Sequence, residues 1–263
     1  MTAAAPPTER SDSEPWWKAT WPLHRAEWIQ LGVSLAFVVV GFSLVGWLAT
    51  DALAPNALTR FDQDVAERFA SGRTNFQTDL AHWSAMLAAT HIKIIATAVF
   101  AVVATMVWKR WHEAVFLALT LIFEATAFVI VSFIVGRPRP DVERLLDSPV
   151  DSSFPSGHVA AATVYGALVI IVFWHTRNRW IRALAVVLLV AVVLAVALAR
   201  MYQGMHYLSD VVAGVVLGIV SLVICLRVLG TPDDVVPRPD EIESQPTGSD
   251  RRRQRVADST ARS

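Results

Sequence analysis

The sequence predicts an all-α fold: a bundle of six transmembrane helices with short amphipathic helices in the first outer loop. Three observations predict it. Hydrophobic residues make up 54% of the 263 and charged residues only 17%, where an ordinary soluble domain has about 25% charged. The apolar residues are gathered into six runs, near 28–50, 90–108, 114–135, 159–174, 181–199 and 211–229, and about 20 apolar residues in a helix cross a bilayer core. Valine and isoleucine are frequent in these runs and would suit strands in water. In lipid, however, each segment must satisfy its own backbone N–H and C=O groups, so helices win.

Other classes fall away on the same grounds. Twenty-three basic residues balance 23 acidic ones, leaving no global positive field for nucleic acid. Cys225 is the single cysteine, so neither an internal disulfide nor a multi-cysteine zinc site is open to the chain.

The elements follow in order. Residues 1–27 read as a cytoplasmic N-terminal segment. The first run reads as a span rather than a signal peptide, because its apolar core is long and mostly polar residues precede it. In the connection after it, Phe61, Val65 and Phe69 recur at helical spacing, as do Phe76, Leu80, Trp83 and Leu87, with Ser71-Gly72-Arg73 breaking the two stretches. These are two amphipathic helices at the outer interface, open to two readings: a lid, or plain packing on the bundle. The fourth run is short, and His158 with Ala160–Ala162 extends it at a polar end. Residues 28–230 form the six-helix membrane domain. From Thr231 the chain is rich in Pro, Asp, Glu, Ser and Arg without an apolar stripe, which predicts a disordered cytoplasmic tail over 231–263.

Orientation follows from the basic residues between spans. Arg10, Lys18 and Arg25 precede the first span, Lys109 and Arg110 join the second to the third, and Arg177, Arg179 and Arg182 join the fourth to the fifth. The tail adds Arg227, Arg238 and the cluster Arg251, Arg252, Arg253, Arg255. Six spans place all four segments on one side, so both termini are expected in the cytoplasm.

The opposite face gathers the residues able to do chemistry. One loop holds Gly136-Arg137-Pro138-Arg139-Pro140 and then Ser152-Ser153-Phe154-Pro155-Ser156-Gly157-His158; the other holds Arg200, His206 and Asp210. Arg139 and Arg200 offer forked donors matched to phosphate oxygens. Ser156 and Gly157 open an apolar helix whose first N–H groups form an anion-binding end, and glycine allows close approach of an oxygen. His206 and Asp210, four apart, share a helix face. The carboxylate can keep one ring nitrogen protonated and leave the other as a nucleophile, with His158 as the acid for the leaving group. A metal site of His158, His206 and Asp210 is the weaker reading, since a cation would repel the arginines around it.

At these residues the chain resembles the type 2 phosphatidic acid phosphatase (PAP2) family, the membrane relatives of vanadium haloperoxidases and bacterial acid phosphatases. The family pattern is Lys-x6-Arg-Pro, then Pro-Ser-Gly-His, then Ser-Arg-x5-His-x3-Asp. Arg139-Pro140 closes the first motif, Pro155–His158 is the whole second, and Arg200, His206 and Asp210 fit the third. The resemblance implies a metal-independent phosphatase without cofactor that passes through a phosphohistidine on His206. It also implies that Arg139, Ser156, Gly157 and Arg200 cradle the phosphate, with His158 as general acid and Asp210 as partner of His206. Two positions depart: Ser132 stands where the pattern has lysine, and Ala199 where it has serine. Losing one charged phosphate contact costs about 1.5–3 kcal/mol, roughly tenfold to a hundredfold in rate. Arg137, on the same loop, is the obvious substitute.

Loops at the membrane–water boundary favour a lipid phosphate as substrate: undecaprenyl diphosphate, phosphatidic acid and phosphatidylglycerol phosphate all satisfy the geometry. Arginine outnumbers lysine 20 to 3, which suits a GC-rich bacterial genome and a role in polyprenyl diphosphate recycling at the cell envelope. The competing readings are a catalytically degenerate relative and a small transporter or lipid-binding module. A transporter puts ionisable groups near the bilayer midplane. Here they cluster at span ends, with Glu124 in the third run as the exception, lining the pocket or pairing with a polar group between helices.

Overall fold

The computed structural model describes residues 23–52, 57–108, 111–146 and 151–231. The chain divides into two units, Met1–Leu229 and Gly230–Ser263. Most of the second, with the expected disordered tail and its arginine cluster, lies outside the described residues, as does most of the N-terminal segment.

Among the described residues the fold is all helical. The helices are α1 (Arg25–Trp47), which continues into a π-helical turn at Leu48–Ala52, α2 (Ala57–Ser71), α3 (Asn75–Met86), α4 (Thr90–Trp108), α5 (His112–Val135), α6 (Gly157–Val164), α7 (Gly166–His175), α8 (Arg179–Tyr202) and α9 (Leu208–Leu229). Six stretches are long and apolar enough to cross a membrane, with α6 and α7 forming one of them. This is a multi-pass membrane protein of the architecture the hydropathy predicts.

Packing sets a centre and a rim. In α5 61% of the apolar window is buried, against 11% in α8. α5, α6 and α9 pack mutually, α1 and α4 lie on α5, and α7 and α8 pack together. α6 and α9 approach closely because α9 carries glycine at two positions four apart. A Cβ on Gly214 would stand 2.5 Å from the Ser156 carbonyl oxygen, and one on Gly218 would stand 2.5 Å from Cβ of Thr163. Small residues at i, i+4 are the usual means of close helix contact in a bilayer.

The structure moves several expected boundaries. α5 begins at His112 rather than 114, because His112 and Glu113 are buried, and Glu113 accepts from His175 Nε2 at 2.9 Å. The fourth span is stepped at Tyr165. There Tyr165 N–H donates to Ala162 O (3.2 Å) and Leu168 N–H to Tyr165 O (3.0 Å), each three residues back, the tighter pattern of a 3₁₀ turn. The Tyr165 hydroxyl donates to Leu87 O at 2.7 Å, which ties the step to the segment between α3 and α4.

The two amphipathic helices exist as expected and are hydrogen-bonded into the bundle. Val65 and Phe69 of α2 pack against a core cluster of α6, α8 and α9 residues. Arg73 Nε donates to Tyr202 O (3.1 Å), and Thr74 N–H donates to the Tyr202 hydroxyl (3.0 Å). On α3, Phe76, Leu80 and Trp83 face outward.

Candidate active site

Three segments meet at the end of the bundle where α5 and α8 finish and α6 and α9 begin. They are the turn 136–140, the stretch 151–156 and the turn 203–207. Gly136 ends α5 in the left-handed region (φ 57°), where glycine carries no Cβ penalty. Ser153 N–H donates to Arg137 O (2.8 Å), and its hydroxyl donates to Pro138 O (3.0 Å). Arg139 donates from Nη1 to Met205 O (2.6 Å) and from Nη2 to Ser152 O (3.3 Å). Ser156 N–H donates to Asp210 O (3.0 Å). The Phe154–Pro155 peptide is cis.

His206 is 5% exposed, with Nδ1 2.7 Å from the Ser153 carbonyl oxygen. A carbonyl only accepts, so Nδ1 carries the proton and Nε2 keeps a free lone pair. Burial holds the ring well below its ordinary 6.5, and the charges of Arg200 and Arg139 add to that, with His158 a smaller contributor. The result is a neutral imidazole in an arginine-lined site.

The partner expected for His206 is different in the structure. Asp210 Oδ2 is 4.0 Å from Nδ1, too far for a hydrogen bond; the Ser153 carbonyl occupies that role. Asp210 instead accepts from Arg137 Nη1 (2.5 Å) and from Tyr207 N–H (2.9 Å). It thus fixes the turn that carries His206 rather than the ring itself. The same finding removes Arg137 as the substitute phosphate cation. Its guanidinium is 3% exposed, donates to Ser209 Oγ (2.7 Å) and to Asp62 Oδ2 (3.1 Å), and lies over the Tyr207 ring at 4.4 Å. The Ser209 hydroxyl in turn donates to Asp62, and Ser209 N–H donates to Asp62 Oδ1 at 3.2 Å.

The other expected residues are placed around His206. Arg200, in the last turn of α8 and 5% exposed, donates from Nη1 to Gln203 Oε1 at 2.9 Å. Its Nε is buried without a partner. His158 is the second residue of α6, and Arg200, Lys93 and Arg139 act on it electrostatically. Ser156 occupies the N-cap of α6, and its buried hydroxyl has no hydrogen-bond partner. For Gly157 the structure supplies a packing reason: a Cβ would stand 2.6 Å from Cζ of Phe128. Neutral imidazole, two arginines and a spare hydroxyl at a helix N-terminus suit a tetrahedral oxyanion.

Two participants escaped sequence reasoning. Asp62 sits in a polar helix among Asp64 and Glu67, with nothing to mark it. The Ser153 contact is made by backbone.

The PAP2 superfamily model matches residues 113–233, the stretch that holds every expected site residue. That stretch belongs to the PAP2 superfamily. Two solved structures are similar in fold to much of the chain. The first transmembrane PAP2-type phosphatidylglycerolphosphate phosphatase from Bacillus subtilis is 20% identical, with a TM-score of 0.64 over 77% of this chain and 99% of that one. LpxE of Aquifex aeolicus is 22% identical, with a TM-score of 0.50 over 62% of this chain and 93% of that one. At such identity both establish the fold. No curated protein sequence matches the chain.

Proposed function

We propose that the chain is an integral-membrane phosphatase that hydrolyses a lipid phosphate or polyprenyl diphosphate through a phosphohistidine on His206. The observation that carries the reading is the His206 tautomer: the Ser153 carbonyl holds Nδ1–H, which leaves Nε2 unprotonated in the field of Arg139 and Arg200. Nε2 attacks phosphorus, the P–O bond to the lipid breaks, and the leaving oxygen takes a proton from His158. The phosphate brings the negative charge that lets His158 hold that proton among the cations around it. Water then attacks phosphorus, the P–N bond breaks, and the water proton returns to His158. Arg139, Arg200, Ser156 and the first N–H groups of α6 hold the equatorial oxygens as charge develops on them.

Two features support a lipid as substrate. The site lies at the ends of membrane spans. An apolar groove of about 880 Å³ between α1, α2 and α9 runs from Phe42 and Val220 to Phe154 and Ser209, beside the loop that holds His206. The distribution of basic residues supports placing both termini in the cytoplasm and the site on the outer face.

The test is phosphate release by purified protein from phosphatidic acid, phosphatidylglycerol phosphate and undecaprenyl diphosphate, with EDTA and with orthovanadate. Release that survives EDTA and is blocked by vanadate is expected, since vanadate adopts the trigonal bipyramid of the transition state. Activity that vanishes in EDTA and returns with magnesium overturns the histidine mechanism. Cysteine labelling outside near Arg144 and inside near Arg179 checks the orientation.

A further inference from the structure

Two restraints on His206 run through one residue. The ring is held by the Ser153 carbonyl at 2.7 Å, and Ser153 is itself fixed by its N–H, which donates to Arg137 O at 2.8 Å. The turn behind the ring is held by Asp210, which accepts from Tyr207 N–H at 2.9 Å and from Arg137 Nη1 at 2.5 Å. Arg137 therefore supports His206 once through its carbonyl and once through its guanidinium. Where Arg137 sits decides where the proposed nucleophile stands.

A carboxylate on α2, outside the stretch that the superfamily model matches, fixes Arg137 in turn. Asp62 is 1% exposed and accepts from Arg137 Nη2 at 3.1 Å. It also accepts from both donors of Ser209, the hydroxyl and, at 3.2 Å, the N–H. Ser209 is the second residue of α9, so this N–H belongs to a first helical turn that has no acceptor within its own helix. Asp62 satisfies it from a neighbouring helix as an N-cap side chain would. The arrangement does more than tie α2 to α9. Ser209 Oγ also accepts from Arg137 Nη1 at 2.7 Å, and that nitrogen is the one bound to Asp210. Asp62 and Ser209 lie at one end of a groove whose other lining is apolar, where ion pairs are less screened than in water.

We propose that Asp62 is a positioning residue for the phosphatase reaction: by fixing the Arg137 guanidinium and the first turn of α9 together, it sets the angle at which His206 Nε2 meets phosphorus. The inference rests on the phosphatase reading and adds α2 to the parts that the reaction needs. Asp62 acts through Arg137 and Ser209 rather than on the ring or the phosphate. Its loss therefore falls on the rate of attack and spares the hold of Arg139, Arg200 and Ser156 on the phosphate. A displacement of about 1 Å in a reacting group can cost on the order of a hundredfold in rate.

The experiment compares Asp62→Asn, Ser209→Ala and Val65→Ala with wild type in detergent, each assayed well below its own melting temperature. The substrate is whichever of phosphatidic acid, phosphatidylglycerol phosphate and undecaprenyl diphosphate the wild type hydrolyses fastest. Its single-turnover consumption, with protein in saturating excess, gives a rate constant that does not depend on the folded fraction. Inhibition by inorganic phosphate reads the arginine cradle separately. Asp62→Asn should lower the rate constant by about tenfold to a hundredfold, with phosphate inhibition within about twofold of wild type. Ser209→Ala removes the hydroxyl bridge and no charge, and should lower it about threefold to tenfold. Val65→Ala removes packing of the same helix on the core cluster, so it should lower the melting temperature and leave the rate constant within about twofold. An Asp62→Asn rate constant within twofold of wild type overturns the inference. So does phosphate inhibition weakened by the same factor as the rate, which would put Asp62 behind the cradle instead. An equal loss of rate in Val65→Ala overturns it too, because the effect would then be a general loosening of α2. Should Asp62→Asn yield no folded protein, Ser209→Ala decides alone, and an unchanged rate constant there overturns the inference. Wild-type protein that releases phosphate from none of the three lipids defeats the phosphatase reading itself, which is a distinct outcome.

Discussion

Replacing Asp62 with asparagine should destabilise the native protein and stabilise the Arg137→Met variant. Arg137 is a single cation between two buried carboxylates, Asp62 at 3.1 Å and Asp210 at 2.5 Å. Asp62 is 1% exposed and Asp210 fully buried. In the native protein, Asp62→Asn removes one ion pair but leaves Arg137 paired with Asp210, and the amide oxygen can still accept from Ser209. The cost is that of a weakened hydrogen bond to a charged group, about 1.5–3 kcal/mol. Arg137→Met instead strands both carboxylates, and breaking a buried pair from one side costs about 3–5 kcal/mol. In that background Asp62→Asn eliminates one stranded charge while keeping the Ser209 contacts, so the double variant should recover part of the loss. The assay is built into the chain. Cys225 is the single cysteine and is fully buried, so a thiol-reactive dye reports unfolding in detergent without an added label. The expected order of melting temperature is wild type, Asp62→Asn, the double variant, then Arg137→Met. A double variant that melts below Arg137→Met would refute the charge-balance reasoning, as would additivity across the cycle.

Further outcomes follow from the same geometry. His206→Ala should abolish phosphate release and any covalent phosphoenzyme; His158→Ala should slow an alkyl phosphate far more than a nitrophenyl phosphate, because general acid catalysis is worth about a hundred- to ten-thousandfold only where the leaving group needs a proton. Burial, with Arg200 and Arg139, holds His206 well below 6.5, so the nucleophile is lost only as pH falls through that lowered value, and the acid limb of kcat/KM should lie well below pH 6.5. Arg139→Gln removes a cation that opposes the imidazolium, so the residual activity should show that limb moved to higher pH; an unmoved limb would detach it from His206. Gly214→Ala drives a methyl toward the Ser156 carbonyl, 2.5 Å away and part of rigid backbone, so it should lower the melting temperature and, by displacing the Ser156–Gly157 turn, lower kcat/KM at least tenfold; the thiol-dye melt and phosphate release check both.

The spans were legible because a bilayer demands long apolar runs, a requirement that few other constraints can hide. Their ends were less so. His112 and Glu113 look like loop residues in sequence, yet both are buried, and Glu113 meets His175, 62 positions away along the chain. The step at Tyr165 was not read from the run, and the hydroxyl bond made there reaches Leu87, 78 positions away along the chain. The site's histidines and arginines stood out as polar groups at span ends. That Arg137 turns to Asp210 and Asp62 did not, because those partners lie 73 and 75 positions away along the chain. The partner of His206 was hidden for another reason: any residue can offer a carbonyl, so the Ser153 contact has no side-chain signature. Asp62 was hidden because it acts across elements, on Arg137 and Ser209.

The guanidinium of Arg200 divides its work between its edges. Nη1 is engaged with Gln203, whose own Nε2 donates to Ala81 O on α3 at 3.2 Å, while Nε is buried and unengaged. The fork is therefore oriented by the protein's own bonds, with its side-chain entropy lost at folding rather than at each encounter. An oxyanion can take Nε without breaking an existing bond, so association need not recruit a conformational change in this arm. The reach of that stiffness extends to α3: the amphipathic helix, through one glutamine, sets the direction in which an arginine of the candidate site points.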